Sequence, residues 1–410
     1  MSTQLKALKF RFYPTPEQEH IIGKTFGCVR FIWNKRVESF INWNPDEITI
    51  DKTIKELKTE HEFLADVPYN ALNAKLQDWR ATKNQFFNKK RKTKLGKPKF
   101  KNKNNKQSFR LDYNGFKIKD NNIIATKIGK LKLAGYDLST LPIDTCKSIN
   151  ISKDTTGKYF CSILIQININ HKPLTGKMVG IDLGLKDLFI LSDGIVIDNP
   201  KFFRNNQTEL KKAQQHLARK KIGSINRNKQ RIKVAKIHEK IKNRRINLLH
   251  EVSTAIVTNY DVICVEDLNV KGLVKNHKLA KAISDASWSS FVNMLNYKCN
   301  WYGKTLIKID RMYPSSKLCG CCGYKNVDLI LSDRTWICPD CNTIHDRDLN
   351  AANNILTKGF ADLIGEDVEF AGVSKKPASV EPIEYKCGEA ISLFGSLHHL
   401  ATSEKHLEFI

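Results

Sequence analysis

Four cysteines constrain this chain more than any other feature. Cys319 and Cys322 form a C-x2-C pair, fifteen residues follow, and Cys338 and Cys341 form a second. This spacing is that of a zinc ribbon. Each pair sets two thiolates on one tight knuckle, and two knuckles complete a tetrahedral S4 shell that leaves no position for water. The expected zinc ion is therefore structural. A knuckle needs positive φ just after its second cysteine, which Gly323 supplies freely and Asn342 less comfortably. Cys321 could replace a neighbour, although only Cys319 and Cys322 have the two-residue gap, and His345 stands as an alternative ligand.

The other cysteines, at 28, 146, 161, 264, 299 and 387, are scattered, which predicts buried thiols in a reducing compartment. With 410 residues, 41% of them hydrophobic, the chain can bury two or three cores. Lys and Arg number 68 against 42 Asp and Glu, a formal charge of +26 that calls for a polyanionic partner. No apolar run approaches the roughly 18 residues of a membrane span, so nucleic acid is the expected partner and membrane is not. The opening MSTQLKALKFRFYPT lacks the apolar stretch of a secretory signal, which places the protein in the cytosol or nucleoid.

Leu8, Phe10 and Phe12 alternate with cations as a half-buried strand does, and Pro14 ends it. A helix is predicted from Thr15 as N-cap, Pro16 as first residue and Gln18 as capping-box partner, with Ile22, Phe26, Val29, Trp33, Val37 and Phe40 on its apolar face. A second helix carries Leu72, Leu76 and Trp79. From about 108 to 170 strand character returns, Tyr159, Cys161, Ile163, Ile165 and Ile167 sharing one face. A β domain interrupted by a helical module follows from this order.

Residues 88–110 hold eleven Lys or Arg and no acid. They form either a solvated linker or, the preferred alternative, a phosphate-contacting segment in which Lys97, Lys99 and Lys101 meet backbone and Phe100 and Phe109 stack on bases. MVGIDLG then reads as a buried strand and LFILSDG as its hairpin partner. Residues 208–258 read as two long helices joined at Gly223-Ser224. The second sets Val234, Ile237, Ile241, Leu248 and Val252 on one stripe, and Glu239 is the lone acid from Lys211 to Arg245. A solvated face is the ordinary origin of such charge, but its single sign favours backbone contact through Arg219, Lys220, Arg231, Lys236, Lys240 and Arg244. DVICVEDL and TLIKID are further strands, an amphipathic stretch surrounds Trp288, Phe291 and Leu295, and HDRDLNAANNIL is a short helix with Leu349, Ala352 and Ile355 inside.

Three acids stand where chemistry could use them. In GIDLG, Gly180, Asp182 and Gly184 share a strand face, so the acid is flanked by hydrogens that leave room for a metal and a phosphate. Glu266 ends its strand, and Asp348 lies in a helix's first turn. Singly, each would be a solvated terminus or a cap. Jointly they would suit a pair of Mg2+ ions hydrolysing a phosphodiester in line.

In order, GIDLG, LARKKIGSINRNKQRIKVAKIHEKI, VICVEDLNVKGL, YPSSKLCGCCG and CPDCNTIHDRDLNAANNIL resemble the TnpB family of insertion-sequence proteins, relatives of type V CRISPR effectors and Fanzor proteins. KFRFYPTPEQ, FGCVRFIWN and GKPKFK extend the likeness over residues 5–358. Asn342 in place of the usual glycine and the additional Cys321 depart from the pattern. The resemblance implies an α/β multidomain protein: an RNase H-like (RuvC) core at 173–312 and 344–358, a zinc ribbon inserted at 313–343, a β-barrel wedge domain at 1–15 and 108–172, and a helical recognition domain at 16–107. Residues 359–410 lie outside the likeness; they lose periodicity and contain SKKPASVEP, which predicts a disordered tail.

It further implies an RNA-guided, Mg2+-dependent DNA endonuclease. Its catalytic carboxylates would be Asp182, Glu266 and Asp348, with Asp346 a neighbour or cap. Its partners would be a guide RNA from the transposon end and double-stranded target DNA beside a short motif, with no obligate protein partner. The alternatives are an RNA-guided repressor that binds without cutting, and a strand-transfer transposase of RNase H-type fold.

Overall fold

The computed structural model describes residues 3–41, 53–91, 95–104, 106–135, 137–168, 171–330, 332–365 and 408–409. The chain forms two compact units, one over Met1–Asn168 with the C-terminal strand, the other within Ile169–His399.

In the first unit β1 (Thr3–Phe12) leads into α1 (Pro16–Ile41), and α2 (Ile54–Glu60) and α3 (Tyr69–Phe87) follow. The predicted capping box starts α1: Thr15 N–H donates to Gln18 Oε1 at 3.1 Å and Gln18 N–H to Thr15 Oγ1 at 3.3 Å. A second capping box, Thr53 with Glu56, starts α2, which hydrophobic periodicity alone does not reveal. The strands β2 (Gln107–Asp112), β3 (Phe116–Lys119), β4 (Asn122–Ala125), β5 (Gly129–Leu131), β6 (Ser148–Lys153) and β7 (Tyr159–Asn168) complete the unit.

The expected closed barrel is not formed among the described residues. β1, β7, β6 and β2 make an open antiparallel sheet, while β3, β4 and β5 make a separate one. The two meet through little more than the Phe12–Leu133 bridge and its flanking amide bonds, so hydrogen bonding does not run round a closed ring. Tyr159, Cys161, Ile163 and Ile165 are buried as their alternation requires, together with Leu8, Phe10, Phe12, Ile22, Val29 and Trp79.

The second unit is built on a five-stranded sheet: β8 (Met178–Leu183), β9 (Asp187–Leu191), β10 (Val196–Asp198), β11 (Val262–Glu266) and β12 (Thr305–Ile309), in the order β10-β9-β8-β11-β12. β8, β9 and β10 pair antiparallel, whereas β8, β11 and β12 pair parallel. Between strands lie α4 (Phe202–Ala218), α5 (Ile225–Asn259), α6 (Val270–Leu273), α7 (Ala280–Ala286) and α8 (Trp288–Tyr302), α4 starting six residues before the sequence signal.

Val179, Ile181 and Leu183 of β8, with Ile263 and Val265 of β11, pack against Val252, Ile256, Phe291 and Leu295 on one face of the sheet. Alternation turns Gly180, Asp182, Cys264 and Glu266 to the other face. There lies α9 (Arg347–Ile364), preceded by the hairpin β13 (Thr335–Ile337) and β14 (Ile344–Asp346). The helix runs past residue 358 and stops at Gly365, whose φ of 74° closes it, so the predicted tail boundary at 359 falls inside a helix. Apart from residues 359–365 and β15 (Glu408–Phe409), which pairs with β1, the predicted disordered tail lies outside the described residues, as does Cys387.

Candidate carboxylate site and zinc centre

Parallel pairing aligns Ile181 with Val265, so the next residues along, Asp182 and Glu266, come side by side at the ends of neighbouring strands. Asp348 reaches the same place from the first turn of α9, where Asp346 is the N-cap and accepts from the Asp348 and Leu349 amides at 3.0 and 2.8 Å. All three acids are half-buried. Burial first, then the charges of Glu266 and Asp348, push the Asp182 carboxyl up to about 7. Glu266 is also raised by burial, against the Ser315 hydroxyl that donates to Oε1.

The glycines beside Asp182 do not leave the space expected of them. A Cβ at Gly180 would lie 2.1 Å from the Ala352 carbonyl oxygen and 2.7 Å from the Leu356 amide, and one at Gly184 would lie 2.4 Å from the Asp187 carbonyl oxygen. Gly180 thus lets α9 settle directly on the strand, and Gly184 permits the tight turn into β9. Further along, a Cβ at Gly359 would lie 2.3 Å from Cys264 Sγ. These close approaches fix the helix that carries Asp348 over the strands that carry Asp182 and Glu266.

Around this cluster sit residues that sequence patterning did not single out. Arg334 Nη1 donates to Asp348 Oδ2 at 2.8 Å. Buried Asn350 and Asn354 of α9 clamp the chain entering the ribbon: Asn350 donates to Leu318 O at 2.6 Å and accepts from the Gly320 amide at 3.0 Å, while Asn354 donates to Ser315 O and Leu318 O, both at 2.8 Å. Their i, i+4 spacing on one helix face was the signal available. The donor set suits a hard cation bound through oxygen, since a cation there would offset the burial and neighbouring charge that raise Asp182.

The Sγ atoms of Cys319, Cys322, Cys338 and Cys341 all lie within 4.8 Å of one another, and no other His, Cys, Asp or Glu group among the described residues is that compact. Cys319 to Cys341 and Cys322 to Cys338 are each 3.6 Å, close to the roughly 3.8 Å edge of a ZnS4 tetrahedron with 2.3 Å bonds. The cluster is therefore consistent with structural zinc. Gly323 and Asn342 both take positive φ, 79° and 56°. Cys321 is exposed, whereas His345 Nε2 lies 3.0 Å from Cys319 Sγ, beside the tetrahedron. Of the remaining thiols, Cys28, Cys161, Cys264 and Cys299 are buried and Cys146 half-buried.

Among the basic residues, Arg219, Lys220, Arg231, Lys236, Lys240 and Arg244 are exposed along α5 and the turn before it. Arg245 is instead tied to Asp285 of α7 at 2.5 Å. In the first unit the basic segment is docked on α1. Asn34 exchanges two hydrogen bonds of 2.8 Å with the Lys101 backbone, and Trp33 Nε1 donates to Lys99 O at 3.0 Å. Lys97, Lys99 and Phe100 remain exposed, but the Lys101 ammonium lies 3.9 Å over the Trp33 ring. Phe109 is 1% exposed and packs on Phe26, so it is unavailable for stacking on bases. No described helix is long and apolar enough to cross a membrane.

Family profiles match three stretches: an OrfB_IS605 profile described as a probable transposase at residues 160–277, a Cas12f1-like TNB domain at 288–355, and an OrfB_IS605 helix-turn-helix domain at 1–41. The last stretch folds here as a strand and one long helix. A Streptomyces pristinaespiralis protein named as a candidate RNA-guided DNA endonuclease is 38% identical over 371 residues, covering 88% of this chain and 91% of its own. The Escherichia coli K12 protein InsQ, similarly named, is 29% identical over 412 residues, 93% and 98% of the two chains. Among solved structures, the Cas12f1 chain of an sgRNA–target DNA complex shares the fold, with a TM-score of 0.52 at 14% identity over 86% of this chain and 98% of that one. With likeness of this extent to the Streptomyces protein, the chain belongs to the TnpB family of transposon-encoded proteins.

Proposed function

We propose that the protein is an RNA-guided DNA endonuclease with a RuvC core, which uses Asp182, Glu266 and Asp348 as one site to hydrolyse both strands of guide-paired DNA. The mixed sheet of three antiparallel and two parallel strands supports an RNase H-type core. The single observation that carries the proposal is the convergence of the three acids, Asp182 and Glu266 at the ends of paired parallel strands and Asp348 in the first turn of α9, where burial first and then the neighbouring charges raise Asp182 to about 7.

Asp182, Glu266 and Asp348 would hold two Mg2+ ions, which when bound supply water activation and charge neutralisation at the scissile phosphate. The chain's own contribution is position. Ser315 fixes one oxygen of Glu266, leaving the other free to ligate. Asp346 takes the helix-capping role and so releases Asp348 from it. Arg334 holds Asp348 in place until a cation competes for its carboxylate.

Guide and target engage the exposed cations Arg219, Lys220, Arg231, Lys236, Lys240 and Arg244 on one unit and Lys97 and Lys99 on the other. A protein that delegates sequence reading to RNA contacts backbone and shape, which suits such dispersed charge. Lys101 contributes less, its ammonium being committed to Trp33. Cys319, Cys322, Cys338 and Cys341 would hold a zinc ion, which would stiffen the ribbon that Asn350 and Asn354 bind to α9. The protein acts in the cytoplasm, on nucleoid DNA.

Co-expression with the RNA flanking its gene, followed by sequencing of the purified complex and incubation with a plasmid library bearing randomised motifs, tests this directly. A defined RNA with a variable 3′ segment and hydrolysed, unjoined double-strand ends are expected. Absence of RNA, or covalent joining of transposon ends, would overturn the proposal.

A further inference from the structure

The turn between α4 and α5 exposes two large apolar residues, Ile222 at 84% and Ile225 at 76%. They stand on a rigid tip. Arg227 Nη1 donates to Leu217 O and Lys220 O at 2.8 and 2.9 Å, and Ser224 Oγ accepts from the Arg227 amide at 3.1 Å as N-cap of α5. Gly223, at φ 85°, turns the chain between them. Below the tip Leu210, Ile237 and Ile241 lock the two helices together. A turn that merely faced solvent would favour Asn, Asp or Ser, and β-branched residues gain nothing from helix propensity at its mouth.

The surroundings identify what covers the pair. Arg219, Lys220 and Lys221 precede it, Lys229 and Arg231 follow, and from Lys211 to Arg245 the lone acid is Glu239. A ligand for the tip must offer an apolar surface a few ångströms from dense negative charge. The end of a nucleic-acid duplex does so, presenting a flat base pair between two phosphate backbones.

We infer that the α4–α5 tip is an apolar wedge, in which Ile222 and Ile225 stack on the terminal base pair of a duplex while the surrounding cations grip its phosphates. This rests on the nucleic-acid part of the function proposed above and is independent of cleavage.

The test uses the full-length protein without divalent cation and an RNA–DNA heteroduplex of about 20 base pairs, with 2-aminopurine at its terminal or at an internal position. Wild-type protein is expected to change the fluorescence of the terminal probe and not of the internal one. Ile222→Ser with Ile225→Ser should abolish that change and weaken binding about tenfold with an unaltered salt dependence. Lys220→Ala with Lys221→Ala should reduce the salt dependence yet keep the terminal signal at saturation. Both pairs are exposed, and circular dichroism verifies that the hairpin is retained.

An unchanged signal and affinity in the isoleucine variant would overturn the inference, as would equal responses from the two probe positions. So would self-association of the wild type that the isoleucine variant abolishes, which would make the tip a contact between copies. A wild type that binds no duplex would remove the nucleic-acid reading as well, whereas a normal terminal signal in a protein unable to cut would count against the nuclease alone.

Discussion

Gly180 and Ala352 meet backbone to backbone: a methyl group on the glycine would lie 2.1 Å from the alanine carbonyl oxygen. Strand β8 carries Asp182 two residues beyond this contact and α9 carries Asp348 four residues before it, so the one approach sets two of the three acids against each other. Gly180→Ala should therefore force the helix outward, destabilise the protein by about 1–3 kcal/mol and lower cleavage well beyond what the lost stability explains. Denaturant unfolding beside cleavage at a temperature where the variant is folded checks this; an unaltered cleavage rate would contradict it.

Asp182 gives a pH signature in the metal-free protein. Its folded value of about 7 lies above the ordinary carboxylate range, so the folded state binds the proton more tightly and stability is lost as pH rises from about 4 through 7. Asp182→Asn should raise the melting temperature by about 2–4 °C at pH 8 and change it little at pH 4. Mg2+ should stabilise the wild type more at pH 8 than at pH 5, where protons compete for the site, and should stabilise the variant less. Thermal scans with and without Mg2+ read all of these.

The asparagine clamp predicts a coupled loss. Asn354→Ala leaves the Ser315 carbonyl without its buried donor and the Leu318 carbonyl with Asn350 in place of two donors, which costs about 1–3 kcal/mol, and it loosens the turn from which Ser315 holds Glu266. Cleavage should fall with zinc content unchanged. Metal analysis beside the cleavage rate separates this outcome from collapse of the ribbon.

The ribbon itself should matter through order and not chemistry. Cys338→Ser removes one of the four sulfurs and should release zinc, raise protease sensitivity between 313 and 347, and lower cleavage. A variant that loses zinc yet cuts at the normal rate would remove the ribbon from the account.

The local signals carried much of this architecture. Alternation placed β1 and β7, capping chemistry placed the start of α1, and cysteine spacing placed the four sulfurs. What escaped was non-local. Gly180 of GIDLG reads as open space because the backbone that fills it lies some 170 residues away, at Ala352. Phe109 sits in a basic stretch and reads as a stacking residue, but its burial against Phe26 comes from a helix earlier in the chain. Arg334 lies in the ribbon between the cysteine pairs, and only the fold of that ribbon brings it to Asp348. The open sheet of the first unit likewise depends on pairings that no periodicity encodes.

The proposed catalytic centre, Asp182, Glu266 and Asp348, is one site that cuts both strands. Its most direct test is strand-resolved cleavage of guide-matched DNA by Asp182→Ala, Glu266→Ala and Asp348→Ala, each shown to keep wild-type zinc content and guide-RNA binding. Every variant should lose cleavage of both strands together; a variant that still cuts either strand at the wild-type rate would contradict the claim.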